Sequence, residues 1–591
     1  MNYKSKLFIL GLISKIYAAN FSVVSLQGDC QLEVGGQTYP MTKDEAVPLY
    51  KATADVPSGT QYKYICGGTP DVDRTLNGDK TYNELVGRKL TVYNMPEFGY
   101  PNAEPWTRSI GRTELFDPTY VPIVIIDAPQ QFFVDGRGSA NFNGISFILK
   151  ENVFTFTNIP TSGKNGDEDK FQFKVTLPGD GIYHRTVLKF RPSSYDPVFF
   201  RQILYGDIAH AIGNPAHESV SARVYLSDGT PIGLYVLQED CTTESFIKTA
   251  FFGDPNTGEI KDYEPNVIYD CATGADFTAN DGKYLGAFKN NTVDLKVELL
   301  EMTQRLETLD VNNEAAVTEF DNNDLDLDTL FRALALEYLA GHWDSYWGLS
   351  TNFVTYHPKD VGASGYKFYF VDQDFDQTWS VGMYQGLDPQ NYPNKSYKTL
   401  LFQNWKQLNG NEFDTETRVL VDRLLGCDGQ PDCVTKRMFE NHLQSIVQHI
   451  FNPVAMKRKT DGYKERLMEE MVWDTSLTRL HTGTNQMYHF TMDDFNHGIE
   501  SADYLGSKFF YGILDWTTAI CNTVCNEFQI DYDKTPYTPD TAAKVEAQPI
   551  DPGSQFDATA TLQTESSDSI MEKVNIAFVT IATILSVVLF I

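Results

Sequence analysis

Between residues 342 and 379 the chain reads HWDSYWGLSTNFVTYHPKDVGASGYKFYFVDQDFDQTW, which sets Asp344, Asn352, Asp372, Asp374 and Asp376 among aromatic and β-branched residues. Apolar neighbours predict interior strands and a helix end, where an ionised carboxylate is costly unless a cation answers it. The run YKFYFV predicts a strand with Asp372, Asp374 and Asp376 at its end, and a period of two places such side chains on one face. Two or three converging carboxylates suit an Mg²⁺ ion held together with substrate phosphates. Asn352 opens a second predicted strand, NFVTY, and offers a neutral oxygen. Asp344, at the end of the helix before it, completes the parts of a phosphoryl-transfer site: one Asp to accept a hydroxyl proton, one Asn and one Asp for metal. The same residues also suit turns and caps, which Asp and Asn favour.

Phosphoryl transfer further needs cations and backbone amides for a triphosphate. The stretch TSGKNGDEDKFQFKV puts Gly163 and Gly166 in a loop before a strand carrying Lys170 and Lys174, a pattern shared with surface hairpins. Lys189 in VLKF and Arg201 on the following helix are further cationic candidates. Other chemistries read poorly, since HExxH, GxSxG and a Walker A lysine loop are absent and the ten histidines show no metal-ligand spacing. Paired carboxylates on a Tyr- and Trp-rich chain leave glycoside hydrolysis as the enzyme alternative.

The elements that must position these groups are legible in the chain's pattern. A length of 591 residues allows more than one domain, and 79 acidic against 48 basic residues, a net charge of −31, exclude phosphate-backbone binding as the main business; no nucleic-acid partner is expected. From residue 20 to about 115 short β-rich runs alternate with turns, which predicts an amino-terminal β-sandwich. More strands come next, then a helix opened by Asp196 and Pro197 and stopped at Gly213. Beyond Asn323 the text is largely helical. Asp324, Asp326 and Asp328 alternate as in a calcium loop, but the glycine and closing glutamate are missing, so they read as an acidic first turn.

The two ends predict targeting. Residues 1–19, with lysines, an apolar run and Ala18–Ala19, read as a signal peptide. The apolar run Val574–Ile591 ends the chain without a basic flank, and small residues upstream make a glycosylphosphatidylinositol signal, with attachment at Ser566 or Ser567 and a disordered stalk over 536–567. A transmembrane helix is the alternative for that tail. Eight cysteines suit an oxidising compartment, and proximity pairs Cys30 with Cys66, Cys241 with Cys271 and Cys427 with Cys433, leaving Cys521 and Cys525 open. Sequons mark Asn20, Asn290 and Asn394 as candidate glycosylation sites.

The motifs YDPVFFRQILYGDIAHAIG, ARVYLSDGTPIGLYVLQED, HWDSYWGLSTNF and YKFYFVDQDFDQTW, in this order, resemble the spore-coat CotH kinase-like family and its fungal cell-surface branch of invasin- and adhesin-like proteins. The resemblance implies an atypical protein-kinase-like domain over 116–535, with a strand-rich N-lobe and a mostly helical C-lobe; with the amino-terminal β-sandwich (20–115) and an anchor propeptide over 568–591 read from the chain's own pattern, the expected fold class is α+β. It implies ATP with Mg or Mn and Ser/Thr phosphorylation of coat or surface proteins. By position, Asp344 is similar to the catalytic Asp, and Asn352, Asp374 and Asp376 to metal ligands. Lys170 is the first choice for the nucleotide lysine, with Lys174 and Lys189 as rivals. The acidic GDED after the glycines departs from the family's basic loop. A non-catalytic adhesin that binds a cell-surface receptor is the alternative function.

Overall fold

The computed structural model describes residues 18–101, 106–279, 282–290, 296–359, 367–409, 416–484, 489–501 and 510–536. Most of the expected leader, most of the stalk, Ser566, Ser567 and the apolar tail lie outside the described residues. Among the described residues no helix is long and apolar enough to cross a membrane. The chain packs as two compact units, one reaching to Val92 with Lys150–Thr155, the other comprising Tyr93–Leu149 and the chain from Phe156 onward.

The first unit is a β-sandwich. Ala18–Val24 pairs antiparallel with Leu49–Asp55 in one sheet, and Cys30–Val34 with Gln61–Cys66 in the other. Alternation drives the packing: Phe21 and Val23 from one sheet and Leu32, Val34, Tyr62 and Tyr64 from the other are buried in a common core. Cys30 and Cys66 face each other in register and form a disulfide. The hydroxyls of Tyr62 and Tyr64 donate to buried Glu84 at 2.9 and 2.6 Å, which Arg74 approaches to 3.5 Å. A buried carboxylate is thereby satisfied. Asn20 is exposed on its strand.

The second unit begins with a closed seven-stranded barrel, in the order Ile123–Asp127, Gly138–Ile148, Val153–Lys164, Gln172–Thr176, Val187–Arg191, Pro231–Glu239, Ser219–Leu226. Inward residues alternate with outward ones: Phe173 and Phe190 stack at 4.4 Å, and Tyr235 meets Phe173 edge-on. Lys174 and Lys189, opposite each other in the ladder, therefore lie on the outer face. The helix Arg201–Ala211 comes after the fifth of these strands in the chain. Asp196 accepts from the backbone nitrogens of Val198 and Arg201 at 3.0 and 2.8 Å, and the turn it organises delays the helix start to Arg201.

A four-stranded sheet, ordered Phe288–Lys289, Ile268–Cys271, Phe353–Tyr356, Tyr369–Asp372, leads into the helical part. Its central helix, Leu327–Ala340, is capped by Asp326, which accepts from Thr329 N at 2.8 Å, and ends at Gly341 with φ +57°. Asp324 meanwhile pairs with Arg305 and Asp328 with Arg332, so the three acids serve separate partners. Around it pack Val434–His449, Pro453–Thr475, Met492–Glu500 and Ile513–Phe528. The Cys427–Cys433 disulfide forms. The expected Cys241–Cys271 bridge does not: both are free buried thiols, Cys241 packed with Phe246, Ile247 and Phe251 and Cys271 in the main core with Phe277 and Phe288. Although near in sequence, the two pack into separate apolar clusters. Cys521 and Cys525 stand unbonded, sulfurs 3.9 Å apart. Asn394 is exposed and Asn290 half-buried.

Candidate functional site

The predicted row of three acids is broken by the backbone. Asp372 closes its strand and turns inward, where Tyr205 donates to its Oδ2 at 2.8 Å. Asp374 then adopts φ +66°, a left-handed conformation that interrupts the period of two, so the strand's alternation stops at Asp372 and does not order Asp374 and Asp376. Burial, then the neighbouring Glu337 carboxyl, push Asp372 well above the usual carboxylate range. It is a core group. Asp374 and Asp376 instead meet at Arg191, which contacts Asp374 and lies 3.0 Å from Asp376 Oδ2.

Three local devices hold this turn. Gln202 accepts from Phe375 N at 2.9 Å, buried His342 bonds the Asp374 carbonyl oxygen at 3.1 Å, and Phe375 stacks on Tyr205 at 4.2 Å. Gln202 is steadied by His217 at 3.0 Å, and burial pulls the pKa of His217 down to about 3 and that of His342 to about 4. Both imidazoles are neutral at physiological pH.

Asp344 lies in the electrostatic field of the same pair. Burial first, then the Asp374 and Asp376 carboxylates, push it up to about 8, so it carries a proton at neutral pH. Burial also raises Asp374, but the Arg191 guanidinium outweighs it and holds that group at about 2. Asp376, under the same opposing influences with the Asp374 charge added, is raised to about 6. The Arg191 charge thus lowers all three carboxyls, and Lys189 and Lys164 add to its effect on Asp374. Asn352, also left-handed at φ +51°, donates its amide to the Asp344 carbonyl oxygen at 2.9 Å.

The cationic candidates separate into two places. Lys170 is buried and donates to Leu234 O at 2.7 Å and to Asp474 at 3.1 Å, 304 positions along the chain; burial lowers its pKa to about 8. Lys174 and Lys189 both reach Asp240, at 3.3 and 2.9 Å, and hold that carboxylate low despite its burial. Lys189 belongs with the acids, since its charge acts on Asp374. Arg201 is committed to Asp196. Gly163 and Gly166 both have close neighbours: a Cβ on Gly166 would stand 2.7 Å from Gly136 O, and one on Gly163 would stand 3.0 Å from the Phe171 ring. Close packing against residues 136 and 137 accounts for these glycines.

Sequence reasoning missed Arg191, Lys164 and Asp240. The signal for Arg191 was present, because Lys189, Phe190 and Arg191 alternate along one strand, which puts Arg191 on the face of Lys189. Lys164 ends the preceding hairpin strand, where desolvation and then the charge of Lys189 depress its pKa. Among the described residues no three His, Cys, Asp or Glu side chains are grouped to hold a metal ion unaided.

A strand-rich lobe, a helical lobe, and acids and lysines gathered between them define a kinase-like bilobed architecture preceded by a β-sandwich. Residues 159–494 match the family described as CotH kinase protein, and the chain belongs to that family. Relatives include three proteins of Rhizopus delemar. Invasin CotH3 is 28% identical over 90% of this chain and 88% of its own length, and Invasin CotH2 is 27% identical over 91% and 88%. Spore coat protein homolog 1 is 25% identical over 87% and 83%.

Proposed function

We propose that the chain is a cell-surface recognition protein of the invasin type, using the CotH fold to bind a protein receptor on a host or neighbouring cell. The observation that carries this reading is the extent of the match: two relatives named invasins align over 90% and 91% of the chain, sandwich and kinase-like unit together. Ion pairing supports it, since Lys170, Lys174, Lys189, Arg191 and Arg201 each engage a carboxylate of the same chain. In this reading the protein is secreted and held by a lipid anchor attached at Ser566 or Ser567.

A second reading, Ser/Thr phosphoryl transfer with ATP, is favoured by one feature: Asp344, Asp374 and Asp376 share the field of the Arg191 guanidinium, with Lys189 and Lys164 adding to it at Asp374. The excess of carboxyl groups fits a hard divalent cation such as Mg²⁺ or Mn²⁺, which Asp374 and Asp376 would hold and which would neutralise phosphate charge. Asp344, which holds a proton at neutral pH while the Asp374 and Asp376 charges face it, would lose that proton and become the acceptor of a substrate hydroxyl proton once a bound cation offset those charges. Lys189 and Lys164 would face the phosphates.

Display of the chain on a non-adherent yeast separates the two. The recognition reading expects adhesion to cultured cells, unchanged in Asp344→Asn and Asp374→Ala. Absence of adhesion, together with metal-dependent phosphate incorporation that is lost in Asp374→Ala, would make phosphoryl transfer the function. Deletion of residues 574–591 is expected to release the protein to the medium, and retention would sink the anchor.

A further inference from the structure

The outer face of the barrel carries an open groove of about 560 Å³ across three neighbouring strands, Gly138–Ile148, Val153–Lys164 and Gln172–Thr176. Its volume is that of a small-ligand site. The period of two explains its lining. Phe142, Ile159 and Phe173 are buried on the inner face, so Ser139 and Asn141, Pro160 and Ser162, and Lys174 and Thr176 project outward. Ser162 and Lys174 stand opposite each other in the ladder.

Two features define what this groove can hold. Among the described residues its lining has no aromatic ring and no Val, Leu, Ile or Met side chain, so an apolar ligand gains little from it. The side chains of Ser139, Asn141, Ser162 and Thr176 make no hydrogen bond to another described residue. Hydroxyls and an amide both donate and accept, so a ligand bearing hydroxyls along its length meets a partner on each strand. The second feature is a cation. Lys174 Nζ lies 3.3 Å from Asp240 Oδ2, and Lys189 Nζ 2.9 Å from Asp240 Oδ1, so two ammonium groups answer one carboxylate. The Lys174 side chain is 40% exposed against 14% for Lys189, and it is Lys174 that lines the groove. Lys189 can hold Asp240 alone, which leaves Lys174 for an anion. Lys164, two residues after Ser162 on the same strand and therefore on the same face, extends the positive end.

We propose that this groove binds a short acidic oligosaccharide, its hydroxyls bonded to the Ser, Thr and Asn side chains of the three strands and its carboxylate or sulfate to Lys174. Charge complementarity is local: the chain carries a net charge of −31, and the positive end of the groove selects for the acid where the surface at large repels it. A nucleotide suits the groove less, because its base has no aromatic or apolar surface to lie on. An acidic peptide suits it less too, because a strand-like ligand is read through pockets for alternate side chains, and a wall of small polar residues forms none. The assignment does not rest on recognition of a protein receptor, since it follows from the side chains of the groove itself.

Calorimetric titration of the full chain tests this with three probes of matched length: a hyaluronan oligosaccharide, which carries carboxylates alone, a heparin oligosaccharide, which carries sulfates as well, and a neutral maltooligosaccharide. At least one acidic probe should bind, and which one does so tells the acid that the groove takes. The neutral probe should bind at least about tenfold more weakly, the worth of one charge-assisted bond, and added salt should weaken the acidic probe. Lys174→Met is expected to cost the acidic probe about tenfold and Lys174→Arg to restore most of it, while Asn141→Ala and Ser162→Ala cost smaller factors. All four positions face outward and Lys189 still holds Asp240 in Lys174→Met, so the variants should keep the wild-type unfolding midpoint within a few degrees. Binding of neither acidic probe, equal binding of the neutral one, or acidic binding that survives Lys174→Met would overturn the proposal. ATP bound more tightly than either acidic probe, and lost in Lys174→Met, would give the groove to a nucleotide and overturn it as well.

Discussion

Arg191 lies 3.0 Å from Asp376 Oδ2, and the same guanidinium nitrogen contacts Asp374, two residues earlier. The pair links the barrel's outer face to the turn that carries the acids, with Arg191 and Asp376 both buried. Replacement of Arg191 by Met removes the guanidinium that both carboxylates face, and breaking such a pair costs several kcal/mol. Since Asp374 is partly exposed, the expected loss is about 2 to 4 kcal/mol. Urea unfolding of Arg191→Met should show it, and Asp374→Asn in the same chain should recover part. An unchanged midpoint would mean that water already screens the pair.

Asp344 makes stability depend on pH. Its carboxyl titrates near 4 in an unfolded chain but at about 8 in the folded one. Between those values the unfolded chain has released the proton and the native state retains it, so stability falls as pH rises through this window. Asp344→Asn abolishes that slope. The variant should match the wild type near pH 4 and exceed it at pH 8 by about 1 to 3 kcal/mol, a range reduced for partial exposure. Thermal unfolding across pH measures this. A variant no more stable than the wild type at pH 8 would show that the Asp344 carboxyl is not raised in the folded chain.

The difference between what was legible in the sequence and what was not lies in distance along the chain. The strand Gln172–Thr176 reads directly, with Phe173 and Val175 inward and Lys174 outward, because period two is local. The cap of the helix Leu327–Ala340 at Asp326 is equally local. Arg191 and Asp376 are 185 positions apart and Lys170 and Asp474 are 304 apart, and no local pattern signals either pairing. The left-handed residue at Asp374 reversed the inference from alternation. With it, Asp372 became part of the core although it shares the sequence period of its neighbours.

The cysteines give a count that can be checked. Two disulfides and four free thiols predict that the unfolded, unreduced chain titrates four thiols, and that reduction adds four more. The folded chain should react mainly at Cys525, because Cys241, Cys271 and Cys521 are buried. Thiol titration with and without denaturant decides it. Two thiols after denaturation would show that one further pair, Cys521 with Cys525, closes in the mature protein.

Lys170 and Lys189 separate support of the fold from contact with a ligand. Lys170 is wholly enclosed, with its ammonium on Leu234 O and Asp474 and above the Phe199 and Tyr235 rings. Lys170→Met leaves Asp474 to Arg479 and the Leu234 backbone nitrogen and takes the ammonium donor from the buried Leu234 carbonyl, at a cost of about 2 to 4 kcal/mol. Lys189→Met is milder, because Lys174 still answers Asp240 and the side chain reaches the surface; about 1 kcal/mol is expected. Should nucleotide bind, the ordering inverts: its affinity falls in Lys189→Met, whose charge acts on Asp374, and holds in whatever fraction of Lys170→Met remains folded. Unfolding curves and nucleotide titrations on the same two variants supply both readings. Loss of nucleotide in a folded Lys170→Met chain, with Lys189→Met unaffected, would place the phosphates at the Lys170–Asp474 pair instead of at Lys189.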